Sequence, residues 1–414
     1  MSDRVPIKGP FVRRLNVKKA LRFWLAPALL AGLSFATPAM AELPAKTRIA
    51  VAVPLSGPLT LNGQEVVEGA KLAAEMINAK GGIMGKSQVE LIEVDTRCNP
   101  TDAVNATQRA ISSGVDLYIG NYCSSAALAT MPVLATEGIP QLVLAYAPSI
   151  TGSARTPNSV RIGPSAGLQM APLAKYAITV DNNKKFAALV TNDDFGRSMA
   201  DAFAQAAKKL GGEVVDFQYY KFGADFSTYL TKIKNMDVDG LVFIGLGNDT
   251  INFTKGYNEL GLKMRIYGGD NFSDAQYIQK QKPKPQNLIF AWVYDDASSR
   301  TAEVPPQPEN IKAFVEAFKA KYNKIPSRNN VWGFATVEVF RQSVESVGSL
   351  DRKKISEYLH SGAEFKTPFG DLSFAKCGQS NNKNGVGKFD GEQTQFLKAK
   401  DWGDDVVPPL CDEN

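Results

Sequence analysis

From residue 48 onward, short apolar runs alternate with longer amphipathic stretches. In Arg48-Ile-Ala-Val-Ala-Val53 the five residues after the arginine are continuously apolar, the pattern of a strand buried on both faces. After the turn Ser56-Gly57-Pro58 the period changes. Val66, Ala70, Ala73 and Ile77 fall on one face of a helix predicted over 63–78, and Gly81-Gly82 stops it. The unit then recurs: strand 89–94, helix 101–113, strand 117–119, helix 125–136, strand 141–144. Strand, helix and strand within roughly thirty residues is what a parallel sheet with right-handed crossovers requires.

A second series has the same rhythm. It runs through strand 186–190, helix 197–210, strand 214–219, helix 226–235, strand 240–244, helix 250–260 and strand 265–267. Two doubly wound α/β lobes are therefore expected, joined near Gly163-Pro164-Ser165. Two further helices, 309–322 and 331–347, precede a glycine-rich, strand-like tail over 369–397, and the proline-rich 302–308 reads as loop. If those helices return to the first lobe, the chain crosses between lobes more than once. A hinge near Trp292 to Asp295 and near Lys366 to Pro368 would result. The expected division is 46–164 with 293–366 for one lobe, and 165–292 with 367–414 for the other.

The first 41 residues change the charge picture. A basic stretch (Arg13, Arg14, Lys18, Lys19, Arg22), an apolar run from Phe23 to Phe35 and Ala39-Met40-Ala41 have the order of a secretory leader cleaved after Ala41. The apolar run is short for a membrane anchor, the competing reading. Residues 1–41 hold seven basic groups and one acidic group, so the formal charge of +5 becomes −1 in the remaining 373 residues. The basic excess belongs to the leader and implies no nucleic-acid partner. A mature chain of this length suits two domains, and nothing after residue 41 has the length of a membrane span.

Cys98, Cys123, Cys377 and Cys411 are an even set in an exported chain, so disulfides are expected, with spacing favouring 98 with 123 and 377 with 411. A zinc site is the alternative. No C-x-x-C occurs, His360 is the single histidine, and no metal or other cofactor is expected. Open parallel sheets bind ligands beyond the carboxyl ends of their strands, where helix N-termini present unpaired N–H groups. In Gly120-Asn-Tyr-Cys-Ser-Ser125, Ser124 and Ser125 could hold a carboxylate or cap a helix. Asp270, in Tyr267-Gly-Gly-Asp-Asn271, could accept from an ammonium or amide, or close a turn on its own backbone. Phe195 offers an aromatic wall, and Asp193 and Asp194 beside it read as helix caps.

Catalysis finds little support. His360, on an apparently exposed helix, has no nucleophile to serve, the cysteines are spoken for, and Gly245-Leu-Gly247 lacks the third glycine of a dinucleotide fingerprint. The chain is not expected to be an enzyme.

Val53-Pro-Leu-Ser-Gly-Pro58, Ile77-Asn-Ala-Lys-Gly-Gly-Ile83, Gly120-Asn-Tyr-Cys-Ser-Ser125, Asp193-Asp-Phe-Gly196, Asp225-Phe-Ser227 and Gly268-Gly-Asp270 resemble, in order, the periplasmic leucine/isoleucine/valine-binding protein family of ABC importers. The resemblance spans the mature chain. It implies two Rossmann-like lobes joined by a three-strand hinge, with the ligand held between them on hinge closure. It also implies a periplasmic, monomeric protein that serves a permease in the inner membrane; a sensor-coupled receptor would share the same fold. By the same resemblance, Ser124 and the backbone of Leu144, Ala145 and Tyr146 take a carboxylate, Asp270 takes an ammonium, and Cys98 pairs with Cys123.

The lining departs from that pattern. Tyr146 replaces a threonine, Asn62 replaces an aromatic group, and Gly247 and Asn330 stand where aromatic groups would line an aliphatic pocket, while Phe195 remains aromatic. Such a pocket should not prefer a bare isobutyl group. Another amino acid, an aromatic or other organic carboxylate, or a small amide such as urea are the candidate ligands.

Overall fold

Every apolar run predicted as a strand lies in one of two sheets. The computed structural model describes residues 43–273, 287–292, 309–382, 384–389, 394–397 and 409–411; the leader, hinge residues 293–295 and the loop 302–308 fall outside the described residues. The first sheet comprises β1 (Lys46–Val53), β2 (Gln88–Asp95), β3 (Leu117–Gly120), β4 (Gln141–Val143) and β5 (Ser159–Arg161) in the order β2-β1-β3-β4-β5. All its pairings are parallel. Its crossovers are helices α1 (Thr60–Ala79), α2 (Pro100–Ser112) and α3 (Ser124–Thr136). Local chemistry sets where these helices start: Asn99 caps α2 by accepting from the Thr101 and Asp102 N–H groups, and Pro100 occupies the first helical turn, where no N–H is needed.

The second sheet has seven strands. β6 (Lys185–Thr191), β7 (Glu213–Tyr220), β8 (Gly240–Ile244), β9 (Arg265–Gly268) and β10 (Leu288–Trp292) run parallel, and β13 (Gly385–Phe389) and β14 (Thr394–Leu397) add antiparallel, in the order β14-β13-β10-β9-β8-β6-β7. A small hairpin of β11 (Phe365–Thr367) and β12 (Gly370–Leu372) precedes them in the chain. The helices here are α4 (Ala166–Thr179), α5 (Asp194–Lys209), α6 (Ser227–Lys234) and α7 (Asn248–Glu259). The α/β architecture read from the sequence is thus present.

β5 and α4 were not foreseen. β5 is three residues long, with a serine and an arginine in it, and α4 is buried around most of its circumference, so neither displays a period. α4 packs on α5 and on β10 and β13.

After β10 come α8 (Glu309–Tyr322), α9 (Arg328–Val347) and α10 (Arg352–Leu359). α9 lies along α1, on the first sheet's side. The helices approach at two glycines. A Cβ on Gly69 would fall 1.8 Å from the Asn330 carbonyl oxygen, and one on Gly333 would fall 1.9 Å from that of Val66.

Disulfides join Cys98 to Cys123 and Cys377 to Cys411. Cys377 precedes a segment that hydrogen-bonds along β5, where the Arg161 N–H donates to the Gly378 carbonyl at 2.7 Å and the Ser380 N–H donates to the Arg161 carbonyl at 3.1 Å. His360 closes α10 half-buried rather than exposed, with Nδ1 2.9 Å from the Ser356 carbonyl oxygen.

Candidate functional site

The carboxyl ends of the two sheets face one another across a cleft that is closed down in this structure to a cavity of about 10 Å³. Tyr122 and Cys123 come from the β3–α3 loop, Leu144 and Tyr146 from the segment after β4, Asp193 and Phe195 from the β6–α5 junction, Leu246 from the segment after β8, and Trp332 from α9. This is where a parallel sheet places ligand groups, because the strands end there and the next helices begin. The walls are chiefly aromatic. The Tyr146 ring lies 5.9 Å from Phe195, and 5.5 Å from Trp332 in an edge-on arrangement. The buried Trp332 Nε1 has no hydrogen-bond partner among the described residues.

Behind the Tyr146–Trp332 wall lies a charged cluster. Asp270 opens a 3-10 turn after β9, on the second sheet's side, while Arg328 is the first residue of α9, on the first sheet's side. Arg328 Nη1 donates to Asp270 Oδ2 at 2.6 Å and to Tyr146 Oη at 2.7 Å, and the Tyr146 hydroxyl donates to the same carboxylate oxygen at 2.5 Å. Both members of the ion pair are 1% exposed. Burial pushes the Asp270 carboxyl upward, and Arg328 and Tyr146 oppose that push. The guanidinium also lies 5.2 Å over the Trp332 ring, a cation–π contact.

A second buried guanidinium supports the Tyr146 loop. Arg161 donates to the Ala147 carbonyl at 2.6 Å, to Gln379 Oε1 at 2.8 and 2.5 Å, and to Thr151 Oγ1 at 2.8 Å. All four acceptor contacts are neutral, and burial lowers its pKa to about 9.

The residues singled out in the sequence separate into three groups. Leu144, Tyr146 and Phe195 line the cavity. Ser124, Ser125, Asn62 and Gly247 surround it: the Ala147 N–H donates to Ser124 Oγ at 3.3 Å, Ser125 is half-buried beside it on α3, and Asn62 Nδ2 donates to Tyr122 Oη at 3.3 Å. Gly247 sits across the cleft, where a Cβ would come within 3.2 Å of Asn62 Oδ1. Ala145, Asp270 and Asn330 lie elsewhere. Ala145 packs under the loop with Ala127 and Met131, Asp270 is occupied by Arg328, and Asn330 fixes α9 to α1 by donating to the Glu65 carbonyl at 2.7 Å. Asp193 caps α5 through the Gly196 N–H at 2.8 Å, as its position suggested.

Arg328, Trp332, Tyr122 and Leu246 were not anticipated. The signal for the first two was the capping box in Ser327-Arg-Asn-Asn330, which starts α9 three residues earlier than the apolar period does. Among the described residues no group of His, Cys, Asp and Glu is placed to hold a metal ion, and no helix is long and apolar enough to cross a membrane.

The periplasmic binding protein family model matches residues 46–386. The chain belongs to the periplasmic binding protein family. Leu/Ile/Val-binding protein homolog 3 of Brucella melitensis biotype 1 is 28% identical to this periplasmic binding protein over 365 residues, covering 86% of this chain and 94% of the relative. The branched-chain amino acid transporter substrate binding protein LivJ of Streptococcus pneumoniae, solved with isoleucine, has a TM-score of 0.75 at 25% identity, covering 85% of this chain and 99% of its own. A solute binding protein of an ABC transporter from R. palustris, solved with benzoate, reaches a TM-score of 0.78 at 22% identity and shares the fold over 89% of this chain and 98% of its own. This periplasmic binding protein is the solute-binding component of an ABC importer, which binds a small molecule for delivery to a permease.

Proposed function

We propose that this chain captures a small organic carboxylate with a flat, apolar body in the cavity between its sheets, closing around it by hinge motion. The observation that carries this reading is the charge behind an aromatic lining: the Tyr146 segment is backed by two buried guanidiniums, Arg161 and Arg328, and one buried carboxylate, Asp270. Arg161, whose acceptors are all neutral, favours an anion where water is excluded, and the one carboxylate in the lining, Asp193, is engaged in capping α5. The N-terminus of α3, which no side chain caps, adds its dipole next to Tyr122 and Cys123. Tyr122, Tyr146, Phe195 and Trp332 supply faces for a planar group, and Trp332 Nε1 offers a donor. On this reading Ser124 and Ser125 meet the carboxylate. Asn62, Gly247 and the backbone of Leu144 to Tyr146 shape the site around it, and Asn330 acts through α9.

The mature protein, beginning at Glu42 in the periplasm, works as a monomer and leaves its ligand chemically unchanged. Its lobes divide near residues 164, 292 and 367.

A thermal-shift screen of the mature protein against benzoate, hydroxybenzoates, phenylpropanoate, the branched-chain amino acids and urea tests the ligand class. Aromatic acids should raise the melting temperature in proportion to the logarithm of their concentration. A response confined to leucine, isoleucine and valine, or to urea, would overturn it.

A further inference from the structure

A carboxylate buried behind the wall of a ligand cavity attracts a cation, and which cation supplies the charge bears on what the cavity accepts. Asp270 is entirely shielded from solvent. Its Oδ2 already receives Arg328 at 2.6 Å and the Tyr146 hydroxyl at 2.5 Å, and both of those donors are anchored in the wall: Tyr146 by its ring against Trp332 and Phe195, Arg328 by its stacking on Trp332. The start of α9 fixes Arg328 in place. Ser327 and Asn330 form a reciprocal cap, and Asn329 donates to the buried Glu65 at 2.8 Å, so the backbone on either side of the arginine is tied down.

We propose that Arg328 is a built-in cation that fills the charge requirement of Asp270 and thereby sets the site against ligands carrying an ammonium group. This deepens the carboxylate reading above and rests on it for the identity of the ligand, though not for the cation site itself. With Arg328 in place, the pair carries no net charge, and the pull of Asp270 on an incoming amine is weakened accordingly. An amine entering the cavity would meet the guanidinium of Arg161 behind the Tyr146 loop, and the one carboxylate in the lining, Asp193, is already engaged by the Gly196 N–H and the Thr191 hydroxyl. Removing the Arg328 side chain reverses this. It leaves space beside a buried carboxylate that has lost its counter-ion, a state that strongly favours any small cation able to reach it.

The test has two independent readouts. First, the melting temperature of Arg328→Ala is measured with and without millimolar methylguanidinium. The variant should be less stable than wild type and should recover stability on adding the cation, whereas Arg328→Ala combined with Asp270→Asn, which has no buried charge to satisfy, should not respond. Second, calorimetric affinities are compared for 3-phenylpropanoate and L-phenylalanine, which differ only by the α-ammonium. Wild type should prefer the deaminated acid by about a hundredfold, and Arg328→Ala should lose that preference or reverse it.

If methylguanidinium leaves Arg328→Ala unchanged, or if wild type binds both members of the pair equally, Arg328 is not a substitute for a ligand cation. If wild type binds neither acid yet the rescue by methylguanidinium is seen, the built-in cation stands and the carboxylate reading is what fails. Should Arg328→Ala fail to fold, Arg328→Lys serves instead. A shorter, mobile ammonium there should narrow the discrimination between the two ligands, and an unchanged ratio would count against the proposal.

Discussion

Asp249, the second residue of α7, lies three residues after the cavity-lining Leu246 and shows how a single side chain sets the pH response. Its Oδ1 accepts from the Gly223 N–H at 3.0 Å, while Oδ2 is buried without a hydrogen-bond partner among the described residues. Burial raises its pKa from the ordinary 3.8 to about 6. Because the folded pKa lies above the unfolded one, the native state binds more protons between these values. Stability therefore falls as pH rises through that window and is level above it. Asp249→Asn should consequently stabilise the protein by about 1–2 kcal/mol at pH 7, with the gain disappearing near pH 4. Urea melts of both proteins across that range check it, and a gain independent of pH would assign the effect to packing. At this scale the sequence showed side chains that project from strand ends: Tyr146, Phe195 and Leu144 could be placed because the loop after a parallel strand has one location. Arg328 could not, since nothing in Ser327-Arg-Asn-Asn330 marks an arginine as buried until the fold brings Asp270 to it.

The contact of α1 with α9 depends on Gly69 and Gly333. Either one, changed to alanine, would put a methyl group less than 2 Å from a carbonyl oxygen of the facing helix. Helix backbones cannot yield locally, so the pair must separate. Gly69→Ala or Gly333→Ala should therefore destabilise the protein by about 3 kcal/mol, more than the gain in helix propensity can offset. Chemical denaturation measures this directly, and a loss below about 1 kcal/mol would mean the helices part without cost. Ligand affinity should fall as well, because α9 carries Trp332 and Arg328. The βα units of both sheets could be read because each has a clean period. The return of α9 to the first sheet could only be raised as a condition, since amphipathicity tells which face is buried and not which partner buries it. β5 and α4 escaped for the opposite reason: one is too short and the other too uniformly buried to show any period.

Across the whole molecule, the ion pair joins the two sides of the cleft. Asp270 follows β9 of the seven-stranded sheet, Arg328 sits on α9 against the first sheet's α1, and Tyr146 follows β4. Opening the cleft would return both charges to water, and the hydration they regain offsets most of the attraction they lose. The pair therefore holds the lobes in register while contributing little to closure, and the ligand decides between open and closed. A shift from almost wholly open to almost wholly closed asks about 5.5 kcal/mol of differential binding. Removing one partner disturbs that balance in a known direction: in Arg328→Gln the closed form retains an uncompensated Asp270, while the open form hydrates it. Small-angle scattering should accordingly show a saturating ligand contracting the wild type, while Arg328→Gln at the same ligand concentration keeps the larger radius of gyration. Curves that superimpose for wild type and variant, with and without ligand, would mean that the cleft does not open and that ligand enters by a local route past Tyr122 and Phe195 instead.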